Sequence, residues 1–195
     1  MAAKKMNVII WLIKAAELDV IRKSCIRNLV GLHFDLILTL PYAMCLSTIS
    51  EIFTTLEIED DKNIISTTRF SNGGLLSKEE MEVTQNGVVR FAKKTPINID
   101  IWQEVGKSYF EIAMKKASAS INRTFDELSK MPGNTFTLLI VNNDRMPLLE
   151  FMAATLNKSI KIPTEGEVVQ LRFEGTIDEK DVNMKLVYAS HHPVQ

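Results

Sequence analysis

From Val8 to Ile13 every residue is apolar, the pattern of a strand buried on both faces of a parallel sheet. Leu18, Ile21, Cys25 and Leu29 then recur at helical spacing until Gly31, which reads as a helix stop. FDLILTL, from Phe34 to Leu40, repeats the buried-strand pattern, and Leu46, Ile49, Phe53 and Leu56 mark a second helix. NIIST, from Asn63 to Thr67, is a short third strand. The polar, glycine-bearing passage RFSNGG after it reads as a loop, a candidate lid or rim.

Ser77 and Glu80 form a capping box that opens a helix running to Lys93, with Gly87 as its weak point. Asp100 and Gln103 make a second cap before a long helix carrying Trp102, Val105, Tyr109, Ile112, Ile121, Phe125 and Leu128, which MPGN ends. TFTLLIV, from Thr135 to Val141, is the clearest strand in the chain. NNDRMP follows it, and Asp144 there is placed to cap a helix carrying Leu148, Leu149, Met152 and Leu156. EVVQLRF and NMKLVYA both alternate, and EGTIDEKDV between them predicts a hairpin at a sheet edge. Strand–helix alternation closed by an antiparallel pair predicts an α/β fold, a three-layer α/β/α sandwich around a mostly parallel sheet with a C-terminal antiparallel hairpin. A chain of 195 residues suits one domain over 1–195, and no internal repeat interrupts it.

Composition narrows the function without choosing it. Apolar residues make up 46% and charged residues 24%, which fits neither a disordered nor a fibrous chain. A formal net charge of −1 removes the electrostatic case for nucleic-acid binding. Cys25 and Cys45 lie among apolar residues rather than as a close pair, so they read as reduced core residues, not a disulfide or a metal site. The apolar stretch that follows MAAKK stops at Lys14, too short to span a bilayer and without a cleavage pattern, so a cytoplasmic, membrane-free protein is expected.

Ligands of open α/β sheets bind beyond the carboxyl ends of the strands, near helix amino termini that favour anions. Three such ends are legible. The first offers Lys14, Ala15, Ala16 and Glu17; the second Leu40, Pro41, Tyr42 and Met44; the fourth Asn142, Asn143, Asp144 and Arg145.

Here the chain resembles the histidine phosphatase superfamily, also called phosphoglycerate mutase-like, and especially its short members similar to bacterial phosphohistidine phosphatases. The family's first strand ends in Arg-His-Gly or Arg-His-Ala-Glu, which lines up with LIKAAE. Its second ends in Ser-Pro followed by an arginine and then a threonine, which lines up with TLPYAMCLST and keeps Pro41 and Thr48. Its fourth ends in Val-x-His, which lines up with LLIVNND. Element order extends the likeness over nearly the whole chain.

The resemblance implies a lost reaction. Ala15 stands where the family has its nucleophilic histidine, Lys14 where it has the companion arginine, Met44 at the second phosphate-binding arginine and Asn143 at the second histidine. Alanine has no lone pair to attack phosphorus, and losing a covalent nucleophile costs about a millionfold in rate, or about 8 kcal/mol of barrier. Lysine does not grip two phosphate oxygens in one plane as a guanidinium does, and methionine donates nothing. Each missing charge-assisted hydrogen bond weakens phosphate binding by about 1.5–3 kcal/mol.

The expectation is therefore a catalytically inactive relative with a binding, regulatory or assembly role. It would hold phosphate or a phosphorylated ligand weakly through Lys14, Asn143, Asp144 and Arg145, without cofactor or metal. Against this stand plainer readings: Lys14 as a strand-end cation paired with Glu17, Asn142, Asn143 and Asp144 as turn and cap residues, and Arg145 as a solvated side chain. Two alternatives remain: a phosphatase or phosphotransferase with a rearranged site using Asp144, and an interaction module dimerising through the long helix or terminal hairpin. Of the three histidines, His33 falls before the second strand, opposite the active end, and reads as surface. His191 and His192 in HHP read as a solvated terminus.

Overall fold

The computed structural model describes residues 3–17, 19, 28–58, 64–67, 107–142, 165–179 and 181–192. The helices expected over 77–93 and 148–156, the loop RFSNGG, and Cys25, Asn143, Asp144 and Arg145 lie outside these residues.

Six strands form one sheet: β1 (Lys4–Lys14), β2 (Leu36–Thr39), β3 (Ile64–Ser66), β4 (Thr135–Asn142), β5 (Val168–Ile177) and β6 (Val182–His192), in the spatial order β3-β2-β4-β1-β5-β6. The first four in that order run parallel; β5 is antiparallel to β1, and β6 to β5. The last strand therefore points the same way as β1, so its carboxyl end shares an edge with those of β1, β2 and β4.

A helix covers each face. Helix α1 (Ala43–Leu56) packs with Trp11, Ile13, Ala15, Ile37, Leu139 and Val141. Helix α2 (Lys107–Ser129) sets Ile121, Phe125 and Leu128 against Ile10, Leu12, Leu138, Leu171 and Phe173 on the other face. Phe125 meets Phe173 edge-on at 5.1 Å between centroids, a geometry that the ring quadrupole favours. With both faces covered, Val8, Ile10, Leu12, Ile13, Leu138, Leu139 and Val141 are all within 1% of full burial, as the unbroken apolar runs predict.

Several boundaries differ from the sequence pattern. Strand β1 begins four residues before Val8, because Lys4–Asn7 pair with β5 and tolerate polar side chains on alternate positions. The buried stripe of α1 runs through Cys45, Thr48, Ile49 and Ile52, while Leu46 is 48% exposed, so the apolar face is turned by one residue from the one expected. Cys45 is a buried free thiol. The hairpin connector is shorter than EGTIDEKDV: Glu174–Ile177 continue β5, and the turn is closed by the Asp181 amide on Asp178 Oδ1 at 2.9 Å and the Asp178 amide on the Asp181 carbonyl at 3.0 Å.

The turn in MPGN does end α2, and Gly133 there takes φ +91°, a left-handed conformation that side chains disfavour. Lys4 ties this turn to β1: its Nζ donates to the carbonyls of Ser129 (2.8 Å) and Met131 (2.7 Å), satisfying acceptors that a helix end leaves open. At the start of β2, Asp35 accepts the Thr137 amide on Oδ2 at 2.7 Å and donates its own amide to the Thr137 carbonyl at 2.8 Å, which fixes the register with β4.

Candidate functional site

Strands β1 and β4 end side by side. Lys14 is paired with Asn142, and the Ala15 amide donates to the Asn142 carbonyl at 2.8 Å, one step beyond the ladder. Ala15 and Ala16 are buried, at 0% and 1% exposure, and both belong to the apolar cluster under α1. Ala15 is thus at the shared mouth of the first and fourth strands, and it is a packed methyl group.

Thr48 joins this mouth to the first turns of α1. Its buried Oγ1 accepts the Ala16 amide at 3.3 Å and has two acceptors in reach, the Met44 carbonyl at 2.8 Å and the Ala16 carbonyl at 3.2 Å. One hydroxyl accepts and donates at once here, so the strand end and the helix start are held as one piece. Met44 is half-buried and packs against the same apolar cluster, and its thioether has no N–H or O–H to give a phosphate. The first turn of α1 carries no acidic residue, and Tyr42 at its N-cap makes no side-chain cap bond.

Alternation along β1 separates the two residues that the sequence placed together. Ile13 and Ala15 face α1, which puts Lys14 on the α2 face with Leu12. Lys14 is half-buried, and its peptide is bracketed by one turn: its amide donates to the Glu167 carbonyl at 3.1 Å, and its carbonyl accepts the Gly166 amide at 3.0 Å. Asn142 is 2% exposed and closes β4 as a strand residue, not the turn residue expected. Glu17 is exposed.

The terminal histidines correct the sequence reading most. They are the last residues of β6 rather than a solvated tail, and both are partly buried. His191 Nε2 lies 3.0 Å from Glu167 Oε2, with side-chain exposures of 14% and 13%. His192 stands on the other face, 2.9 Å from Ser190 Oγ and with its ring centroid 5.7 Å from that of Trp11. Burial, and then the neighbouring His191 charge, hold the His192 pKa below the ordinary imidazole value. Sequence reasoning missed this pair because SHH breaks the apolar alternation of NMKLVYA. The signal that would have found it is orientation: a strand parallel to β1 must end at the same edge. His33 is exposed, as expected.

A narrow crevice lies at this edge, lined by Leu38, Thr39, Leu40, Thr67, Ile140, Val141 and Asn142, with no room inside for a water molecule. Ordinary small-molecule pockets hold ~300–1,000 Å³. An open hollow of about 330 Å³, edged by Lys5, Asn7, Asn134, Thr135 and Glu174, sits at the opposite, amino end of the strands, away from the Ala15 mouth. Among the described residues no three His, Cys, Asp or Glu side chains gather to hold a metal ion, and no helix is long and apolar enough to cross a membrane.

No protein-family model matches this chain, and no curated protein matches it in sequence. Solved structures do match in shape. A phosphoglycerate mutase from Bacillus anthracis superposes with a TM-score of 0.57 at 12% identity, over 87% of this chain and 89% of that one. YhfR from Bacillus stearothermophilus gives 0.52 at 13% identity, over 90% and 98%. A protein described as mycobacterial hydrolase 2 gives 0.51 at 12% identity, over 100% and 94%. At such identities the likeness is one of fold. The parallel core with β1 and β4 adjacent, the antiparallel pair beyond them and the shared match over almost the whole chain make this the phosphoglycerate mutase-like α/β fold.

Proposed function

We propose that this chain is a catalytically inactive histidine phosphatase-like protein, cytoplasmic and a single domain, whose role is binding, regulation or assembly. The observation that carries the reading is the packed methyl of Ala15 at the junction of β1 and β4, where a nucleophile would have to stand. Met44 among apolar neighbours supports it, because its thioether offers a phosphoryl group no charge-assisted hydrogen bond. What remains is weak affinity for phosphate or a phosphorylated ligand through Lys14 at the carboxyl edge.

The test has two arms. Purified protein is assayed with p-nitrophenyl phosphate and with a phosphohistidine protein; turnover well above that of a Lys14→Ala/Asp144→Asn variant overturns the inactive reading. Thermal shift is then followed with phosphate, sulfate and phosphorylated sugars. Stabilisation that Lys14→Ala removes supports the anion role, and its absence leaves the edge without one.

A further inference from the structure

We propose that the open hollow at the amino end of the sheet is a binding site for a small zwitterion of the α-amino-acid class. It lies at the other end of the strands from Ala15 and does not depend on the reading above.

The sheet register builds the hollow. Ile9, Trp11 and Ile13 belong to the face under α1, and alternation carries Lys5 and Asn7 onto that same face. Thr135 on β4 and Glu174 on β5 are the register partners of Asn7, so the three stand in one row across the strands. The Asn7 amide donates to the Asn134 carbonyl at 2.8 Å, which brings Asn134 to the rim. About 330 Å³ is free here. That is the lower end of the ~300–1,000 Å³ of small-molecule pockets and suits a molecule the size of an amino acid.

Two charges of opposite sign border this space without neutralising each other. Lys5 is opposite Thr176 in the register and hence diagonal to Glu174, near enough for long side chains to meet. Glu174 Oε1 instead lies 3.4 Å from Arg172 Nε, and Lys5 has no ion pair among the described residues. The second oxygen of Glu174 keeps its lone pairs for another donor. A simple anion in the hollow faces Glu174, and a simple cation faces Lys5. A molecule carrying both charges meets a partner for each, its carboxylate at Lys5 and its ammonium at Glu174.

Asn7 adds an independent sign of use. Its Oδ1 is buried with no hydrogen-bond partner, a state that native proteins rarely keep. The last torsion of asparagine is broad, and half a turn exchanges its oxygen and nitrogen. From the middle of the row the carboxamide therefore gives an N–H to the ligand carboxylate or accepts one from its ammonium.

The test is an NMR titration of the whole chain with L-alanine, N-acetyl-L-alanine and L-alaninamide, with glucose and inorganic phosphate as controls. L-alanine is expected to shift the amide signals of Asn7, Thr135 and Glu174, and each blocked analogue, lacking one charge, to bind about tenfold more weakly. Lys5 and Glu174 are exposed, so their variants keep the fold. Lys5→Met then binds L-alanine no better than L-alaninamide, and Glu174→Gln binds it no better than N-acetyl-L-alanine. Asn7→Leu removes the unpartnered group, so the urea midpoint holds or rises while L-alanine binding falls. No shift with millimolar L-alanine, equal binding of the blocked analogues, tighter binding of glucose or phosphate, or wild-type affinity in Asn7→Leu overturns the proposal. Shifts confined to the Lys14 edge do the same.

Discussion

The Ala15 amide donates to the Asn142 carbonyl at 2.8 Å, so β1 and β4 are locked together at their carboxyl ends. The side chain at that lock is fully buried among Ile13, Leu40, Cys45 and Val141. Placing a histidine there is therefore not a simple exchange. Ala15→His forces a large polar ring into a close-packed site, which costs about 1–3 kcal/mol from overpacking. It also adds no cation beside Met44, whose thioether cannot donate to phosphate. The expected result is a lower urea midpoint and no turnover of p-nitrophenyl phosphate.

Thr48 carries a different kind of cost. Its hydroxyl is buried, and it serves the Ala16 amide and the carbonyls around it. Thr48→Val keeps the volume but leaves the Ala16 N–H without that acceptor, a penalty of about 1–3 kcal/mol. Thr48→Ser keeps the hydroxyl and loses a methyl group, about 1 kcal/mol. Urea unfolding that ranks valine below serine supports the hydrogen-bond account; the reverse order assigns the site to packing.

How far the sequence discloses the fold depends on how many faces of each element are covered. β1 and β4 are covered on both, so Val8–Ile13 and Leu138–Val141 are legible as unbroken apolar runs. Lys4–Asn7 are not, since Lys4, Lys5 and Asn7 are polar at the sheet's amino edge and only Met6 among them joins the core. The order β4 between β2 and β1 is a matter of tertiary packing that no local pattern carries. The same limit applies to the site. Ala15 and Met44 were placed by motif alignment, whereas the Glu167–His191 contact joins residues 24 apart whose meeting depends on the hairpin register.

At the amino end of the sheet, Lys4 reaches the carbonyls of Ser129 and Met131, and its Nζ also lies 5.3 Å from the Phe136 ring centroid. A cation at a helix carboxyl terminus is favourable both as a donor and against the helix dipole. Lys4→Met keeps the apolar stem and removes the charge and both bonds, with a loss of about 0.5–2 kcal/mol. Faster amide exchange confined to the last turn of α2 is the expected signature. A global change with no local component would place the effect elsewhere.

His192 gives the chain a pH dependence of known sign. Its folded-state pKa lies below the ordinary value of ~6.5, because burial beside Trp11 and the charge of His191 disfavour the imidazolium. The unfolded chain then binds more protons than the folded one as pH falls below about 6.5, and stability declines with it. Above that pH both states hold a neutral ring, and this residue contributes no slope. Further acidification below the folded pKa protonates both states, and the contribution levels off. His192→Gln, which keeps a polar partner for Ser190, removes this component without touching the sheet's other titrations. Urea midpoints of wild type and variant should run parallel between about pH 7 and 8, where the His192 ring is neutral in both states, and diverge below 6.5 with the wild type falling faster. If instead the variant falls faster on acidification, His192 is charged in the folded protein, and the desolvation assigned to it is wrong.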